Sequence, residues 1–482
     1  MILGTTSIPR CSNKGAKTTT YTVIAALALT LMYKPGIALE VTNTNTDQFY
    51  ELDPEFSLAL ESLAQPENRA TLSTLELAVS SELRLTESYA GYFEILATAE
   101  YLALETDPDI RTDFLELSEF WIGWSWENQN TTQLWIGRRE LEDSIGWWWG
   151  ENVNGLGLLI SDSAEQPGLE LALIETTQAW TSQPQPDDPE EDSIFHLLGT
   201  YHQPLPGGAA VSSFVAVQRD QSATFKSGDL VSETDFDESD SNLIWAGVRY
   251  RRTTSITNVG KFSALVDAAY MTGNEVRSLL IEEGEDEDES DTAAEDEVDP
   301  APQKGQQVDR TVRESLSGWG TNLQLTWNPS FSSHSAVHIG YAYGSGTDRS
   351  QRLGSNTFRQ TGLQSNESDT SYYGHLSDPE LSNLQVITAL ITHSFEENSG
   401  LFLQYNWYQR ASRYDDTIEF DLDLDIANNH KDIGSEATIG LKHQFSGGLL
   451  AELTLSRFNP GTAVAPTAKN IDQYEFTIKY EY

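Results

Sequence analysis

The feature that most constrains the fold of this chain is a strict alternation of apolar and polar residues. In IEFDLDLDI, residues 418–426, every second residue is apolar and every residue between is acidic, namely Glu419, Asp421, Asp423 and Asp425. Side chains repeat every two residues only in a β-strand, so the pattern predicts a strand with an apolar face and a carboxylate face. A chain built from such strands must meet a different environment on each side of its sheet.

Similar segments recur along the chain, separated by turns such as ENSG and SGG. They include FSALVDAAYM (262–271), NLQLTWN (322–328), VHIGYAYG (337–344) and EATIGLKHQF (436–445). Alternating segments of about ten residues are the pattern of a transmembrane β-barrel, whose apolar face contacts lipid and whose other face lines a pore. The sequence therefore predicts an all-β, antiparallel barrel. In such a barrel the apolar residues of 418–426 would face lipid, and the four carboxylates would face pore water.

A soluble β-sandwich would alternate as well, but two features favour the barrel. The non-apolar face is often small or neutral rather than charged, as expected where it lines a lumen. Aromatic residues also concentrate at strand ends, as in FWIGWSW, where Phe120, Ile122, Trp124 and Trp126 share one face. Such aromatic girdles mark the two membrane–water interfaces.

The N-terminus predicts export. An apolar run covers residues 21–32, the small-residue sequence PGIA follows it, and three basic residues precede it: Arg10, Lys14 and Lys17. This order is typical of a signal peptide, so residues 1–38 are assigned to one. An uncleaved N-terminal anchor is the alternative. Cleavage would remove the only cysteine, Cys11, and with it any disulfide or cysteine metal site.

Charge excludes one class of partner. The 482 residues include 74 acidic and 29 basic side chains, for a formal net charge of −45. The sequence contains no basic stripe that could neutralise the phosphates of a nucleic acid, so nucleic acid is not expected as a partner. Three reasons for the excess of acidic residues remain open: a salty habitat, a vestibule that attracts cations, and solubility alone. Beyond the signal segment no run of 18 apolar residues predicts a transmembrane helix.

The remaining residues, 39–482, are interpreted as one domain, with a polar lead-in to about residue 55. Residues 282–307 are dense in acid and lack aromatic side chains, which predicts a disordered loop. A calcium site is the sharper alternative, but no Asp-x-Asp-x-Asp-Gly spacing holds the carboxylates together. No metal and no cofactor are therefore assigned. DDPEED, residues 187–192, is expected to be a second exposed loop.

The C-terminus predicts where the barrel is inserted. QYEFTIKYEY places aromatic and aliphatic residues on one face of a final strand, namely Tyr474, Phe476, Ile478, Tyr480 and Tyr482. Outer-membrane barrels of Gram-negative bacteria end with such a strand, and their assembly machinery recognises it. Together with the export signal, this predicts the outer membrane of a Gram-negative bacterium. Its lipids and the barrel assembly machinery are then the expected partners.

Several motifs resemble the alginate export proteins of the bacterial outer membrane. They are IGRRELED…WWW (136–149), DAAYMTG (267–273), GYAYGSGTD (340–348), FRQTGLQSN (358–366), YYGHLSDPELSNLQV (372–386) and KDIGSE (431–436). The resemblance implies a monomeric barrel of 18 strands that exports an anionic, alginate-like polysaccharide. It also implies a narrow lumen lined by arginines and loops that occlude the pore. Whether a periplasmic protein delivers the polymer stays open.

A pore for a polyuronate needs cations that attract each carboxylate yet release it, and arginine pairs bidentately with carboxylates. The arginines that match the family motifs are Arg138, Arg139 and Arg359, with Asp267 on the inferred lumen face to orient them. Arg457 matches a C-terminal arginine motif only in part, because Asn459 stands where a second arginine is expected. The alternation of side chains along a strand does not show whether Arg138 or Arg139 points inward. The alternative is that all of them only pair with wall carboxylates.

Three functions from different classes follow. The resemblance favours export of a polyuronate through an arginine-containing constriction. The acidic face and Asn459 favour a general or cation-preferring porin for small solutes. An outer-membrane hydrolase has no Ser/His/acid or metal-ligand spacing to support it, so no enzyme is expected.

Overall fold

The computed structural model describes the greater part of the chain after residue 48. The described residues are 49–64, 69–86, 89–104, 110–127, 131–143, 147–160, 167–176, 180–181, 194–220, 226–228, 230–231, 239–280, 306–348, 355–361, 363, 373–396, 398–415, 418, 420, 422, 424, 426 and 429–481. The predicted signal peptide, DDPEED and nearly all of the acidic segment lie outside them.

Twenty β-strands run through the described residues. They are β1 (Phe49–Ala64), β2 (Arg69–Thr86), β3 (Tyr89–Leu104), β4 (Ile110–Glu127), β5 (Thr131–Glu142), β6 (Gly150–Ile160), β7 (Gly168–Thr176), β8 (Trp180–Thr181), β9 (Ile194–Leu205), β10 (Ala209–Asp220), β11 (Leu230–Val231), β12 (Ser239–Ile256), β13 (Gly260–Leu280), β14 (Gln306–Pro329), β15 (Ser335–Gly344), β16 (Leu384–Glu396), β17 (Ser399–Arg410), β18 (Asp432–Gln444), β19 (Leu449–Pro460) and β20 (Ile471–Glu481). Two predicted boundaries are corrected, because the supposed lead-in contributes residues 49–55 to β1, and 306–307 of the acidic segment open β14.

Eighteen of these strands form one closed antiparallel barrel. The other two, β8 and β11, have two residues each and pair locally with β4 and β14. Each longer strand pairs with the next longer strand along the chain, and β20 returns to pair with β1 between Asp472–Glu481 and Glu55–Ala64. Closure leaves no unpaired edge, as hydrocarbon requires. The described residues thus agree with the predicted 18-stranded barrel. In the same residues no helix is long and apolar enough to cross a membrane.

The two ends of the barrel differ in their connections. One end has tight turns, such as the β9–β10 hairpin, where Gly207 and Gly208 have φ of 80° and 75° and allow a three-residue reversal. The other end has the long β13–β14, β15–β16 and β17–β18 connections. Transmembrane barrels have short turns on the periplasmic side, so the short-turn end is assigned to the periplasm.

Side chains alternate between the two faces as four of the segments predict. On β13, Val266 and Tyr270 are exposed on the outside, while Asp267 is buried inside. The same separation holds on β14, β15 and β18. On β20, Tyr474 and Phe476 are exposed, whereas Gln473 and Thr477 are buried. The final residue, Tyr482, lies outside the described residues, while Ile478 and Tyr480 are partly exposed.

The prediction for residues 418–426 is wrong. The five apolar residues lie in the β17–β18 connection and belong to no strand. Leu422 is only 5% exposed, and the ring of Phe420 lies 5.6 Å from the ring of Tyr408, a fully buried residue on the inner face of β17. These residues therefore pack inside the barrel and not against lipid. The predicted lumen carboxylates, Glu419, Asp421, Asp423 and Asp425, lie outside the described residues.

The closed ring predicts a simple gel behaviour. Because backbone pairing continues around the whole barrel, detergent alone should not unfold it, and heat should be needed. Unheated protein should therefore migrate faster on a denaturing gel than boiled protein, and membrane fractionation should recover it with the outer membrane. Equal mobility of the two samples, with recovery in the soluble periplasm, would contradict the barrel.

Candidate functional site

Long connections from the end opposite the short turns fold into the barrel and meet there. The N–H of Gly150 donates to the carbonyl of Leu363 at 2.6 Å, and the Thr361 hydroxyl donates to the carbonyl of Trp148. These bonds join the β5–β6 connection to the β15–β16 connection. The N–H of Thr347 donates to Asp415 Oδ2 at 2.7 Å, which joins the β15–β16 connection to the β17–β18 connection. The three connections therefore form one interior layer that narrows the lumen.

Arg249 holds this layer to the wall. It lies on the inner face of β12 and donates from Nε to Asp267 Oδ1 at 2.7 Å and from Nη1 to Asp143 Oδ1 at 2.6 Å. Asp143 Oδ2 in turn accepts the N–H groups of Trp148 and Trp149. The guanidinium also lies 4.2 Å from the Trp148 ring centroid. One arginine thus connects β13, through Asp267, to the tryptophan turn of the β5–β6 connection.

The arginine that Asp267 binds is one that motif matching missed. Asp267 was expected to orient the arginines of the family motifs, but its ion pair is with Arg249. The side chains of these two residues are 0% and 3% exposed, so little water can screen their attraction. The signal that could have found this pair is the hairpin register, because Ile256 opposite Gly260 places Arg249 directly opposite Asp267.

Tyr373 links the β15–β16 connection to the same cluster. Its burial, with a smaller contribution from the charge of Asp267, raises the pKa of the Tyr373 hydroxyl well above its ordinary value. The hydroxyl therefore stays neutral beside the carboxylates of Asp267 and Asp143. The carbonyl of Tyr373 accepts a hydrogen bond from the Tyr408 hydroxyl at 2.6 Å.

Glu436, in the KDIGSE motif, anchors the next part of that connection. Its carboxylate accepts the backbone N–H groups of His375, Leu376 and Ser377 at 2.7, 3.1 and 3.1 Å. The Ser377 hydroxyl adds a fourth bond at 2.6 Å. A carboxylate that accepts this many donors is held firmly in one position. This inward-facing acid is therefore occupied by the loop and is not presented to the pore.

The guanidinium of Arg359 is partly open to the lumen. Its carbonyl accepts the indole N–H of Trp245 at 2.9 Å, which fixes the backbone against β12. Its Nη1 donates to Glu275 Oε1 at 2.7 Å, yet its side chain remains 34% exposed, while Glu275 is buried. Glu314 lies directly opposite Glu275 on β14. Arg359 thus presents positive charge to the lumen next to two wall carboxylates.

Of the adjacent arginines 138 and 139, only the second faces the lumen. Arg139 is directly opposite Val153, on the inward face, and its guanidinium lies 4.9 Å and 5.7 Å from the ring centroids of Trp121 and Trp135. Arg138 is opposite Phe120, an exposed residue of the outer face, and residues opposite each other share a face. Arg138 is nevertheless buried in the wall, where its Nε donates to the Ser118 carbonyl at 3.0 Å.

The expectation for Arg457 is corrected. It lies on the outer face of β19, in the same row as the exposed Leu453 and Leu455, and its side chain is 55% exposed. It pairs with Asp472 across the β19–β20 ladder at 2.5 and 2.8 Å. Arg457 therefore takes no part in the constriction. Arg359 and Asp267 are brought to the interior layer, whereas Arg139 lies on the wall formed by β4 and β5.

Comparisons with solved structures agree with this architecture. OccK11 (OpdR) of Pseudomonas aeruginosa has a TM-score of 0.54 at 10% identity, over 90% of this chain and 95% of that one. OccAB1 of Acinetobacter baumannii has a TM-score of 0.54 at 9% identity, over 92% of this chain and 98% of that one. Likeness at this identity concerns the fold, which is that of an outer-membrane β-barrel.

Comparisons of sequence identify the family. Alginate production protein AlgE of Azotobacter vinelandii is 30% identical over 154 residues, which cover 28% of this chain and 30% of that protein. The aligned part thus spans less than a third of that relative. The family model for alginate export matches residues 94–477, which run from β3 to β20 and include the whole interior layer. The chain belongs to the alginate export family of the Gram-negative outer membrane.

Proposed function

We propose that this barrel exports an anionic polysaccharide of the polyuronate class, with Arg359 as the main cation at its constriction. The observation that carries the proposal is the half-open guanidinium of Arg359 in the layer of connections that narrows the lumen. Family membership and the partial match to AlgE support the same cargo class.

The chemistry of Arg359 suits a passing carboxylate. An arginine has five N–H donors in a planar fork, and Glu275 engages Nη1 alone. The remaining donors can bind a uronate carboxylate bidentately. Glu275 offsets part of the positive charge, which weakens the site enough to release each sugar as the next one arrives. Arg139 supplies a second cation on the wall.

The runner-up is a cation-preferring porin, and one observation favours it. Glu94 and Glu119 lie directly opposite each other on β3 and β4, and Glu170 lies close enough to Arg139 to interact with its charge. Such a run of carboxylates could attract cations before they reach Arg359.

Measurements on the purified pore in a planar bilayer distinguish the two functions. Polyuronate export predicts a preference for anions under a salt gradient, and current blockade by oligouronates added from the short-turn side. Loop carboxylates farther than a Debye length, about 10 Å at 0.1 M salt, are largely screened and should not reverse that preference. Deleting the gene in its own host should also retain polymer in the periplasm. A cation-selective pore that oligouronates do not block would support the general porin instead.

A further inference from the structure

A row of flat aromatic rings lines the inner wall formed by β3, β4 and β5. Tyr92 on β3 is directly opposite Trp121 on β4, and their ring centroids are 6.2 Å apart with an interplanar angle of 22°. The two rings are thus stacked, with nearly parallel planes. Trp135 on β5 continues the row, since the guanidinium of Arg139 lies over both tryptophans.

Two inward-facing glycines allow the rings to lie down on the wall. Gly123 and Gly157 flank Trp135 directly on the two neighbouring strands. A Cβ at Gly123 would come within 2.8 Å of Trp121 Cζ3, and one at Gly157 would overlap the Trp135 indole. Glycine weakens a strand interior and often marks a close approach of another group. Here the approaching groups are the indole rings of Trp121 and Trp135, which occupy the space that a side chain at either glycine would fill.

The row is open to the lumen where a ligand would need it. Tyr92, Trp121 and Arg139 are partly exposed, and they face the interior, so the surface they expose is lumen surface. Trp135, in contrast, is buried and serves as backing.

The row also lies on the path of a polymer that enters from the periplasm. Tyr92 and Trp135 lie three and four residues from the short-turn ends of β3 and β5, counted from Tyr89 and Thr131. The interior layer of connections originates from the opposite end. A chain entering at the short turns would therefore meet the aromatic row before the constriction.

We propose that Tyr92, Trp121 and Arg139 form a saccharide-binding shelf for pyranose rings. The apolar C–H face of a sugar ring packs on the aromatic surface, and the Arg139 guanidinium binds the carboxylate of a uronate or the hydroxyls of a neutral sugar. The shelf rests on the proposed function in taking its ligand from the exported polymer. It deepens that function because ring stacking requires no charge, whereas the constriction at Arg359 does.

Trp121→Ala tests the shelf, with Trp124→Ala as the matched control. Trp124 lies on the same strand but on the outer face, where it is 45% exposed to the lipid side. The probes are oligouronates and their carboxyl-reduced, uncharged counterparts, and the readout is the dwell time of single-channel current blockades. Trp121→Ala should shorten the dwell time of both probes about two- to tenfold, the usual worth of an aromatic contact. Trp124→Ala should leave both dwell times unchanged.

Two further variants keep the test decisive. Trp121→Phe retains a ring and should recover most of the dwell time, and Arg139→Gln should shorten uronate blockades more than those of the uncharged probe. The heat-dependent gel shift identifies any variant that fails to assemble. If wild-type pore binds oligouronates and both Trp121 variants behave like it, the shelf is wrong while export stands. If only the uncharged probe blocks, and Trp121→Ala weakens it, the shelf stands while polyuronate export fails.

Discussion

Replacing Arg249 by alanine should release the tryptophan turn from the barrel wall and destabilise the protein by about 3–5 kcal/mol, the usual cost of removing one partner from a buried ion pair. The substitution would leave Asp143 and Asp267 buried without their shared cation, although both lie within 2.7 Å of it in the intact protein. It would also remove the guanidinium from the face of Trp148. The midpoint of the heat-dependent gel shift should fall, and single-channel conductance should rise because the β5–β6 connection no longer fills the lumen.

Arg457→Ala is the matched control for this prediction. Arg457 also pairs with an aspartate, Asp472, but it does so on the outer face with more than half of its side chain exposed. Its loss leaves no buried carboxylate without a partner and touches no part of the interior layer, so it should change neither the gel shift nor the conductance. Arg249→Lys should be intermediate, because a lysine keeps the charge but cannot fork between two carboxylates. Similar effects of Arg249→Ala and Arg457→Ala would show that the interior layer does not depend on Arg249.

The barrel itself follows from the sequence because its rule is local. Alternation assigns Val266 and Asp267 to opposite faces without knowledge of any other strand. In the structure Val266 is exposed on the outer face and Asp267 is buried on the inner face. Hairpin register extends the rule to one neighbour, which is enough to place Arg249 opposite Asp267. The same parity puts Arg457 in the outward row of Leu453 and Leu455. The expectation that Arg457 lies in the constriction came from a motif match, and the alternation of side chains along its strand contradicts it.

The interior layer does not follow from the sequence, because its contacts join residues far apart in the chain. Nothing local pairs Asp143 with Arg249, or Thr361 with Trp148. Alternation in residues 418–426 fails for a related reason. A period of two residues says that two sides differ, but it does not say whether the apolar side meets lipid or an interior partner such as Tyr408. The apolar residues of this run are therefore part of the filling and not of the wall.

Replacing Arg359 by glutamate should abolish or reverse anion preference and impair polymer secretion, while the barrel still assembles. Assembly should survive because Arg359 lies in a connection and is partly exposed, so no strand depends on it. The new carboxylate would lie beside Glu275, with Glu314 opposite on the next strand, and the three would repel a uronate at the narrowest part of the pore. Reversal potentials under a salt gradient measure the change directly.

The matched control for the charge change is Arg310→Glu. Arg310 lies near the outer end of β14 with its side chain 68% exposed, so the same two-unit change in charge occurs away from the interior layer. If selectivity followed the total charge of the protein, both variants would shift the reversal potential alike. If it follows the charge at the constriction, only Arg359→Glu will shift it, because salt screens the distant site. A cation-selective wild-type pore that Arg359→Glu leaves unchanged would remove Arg359 from the mechanism and favour the general porin, and the wall carboxylates Glu94 and Glu119 would then be the groups to replace next.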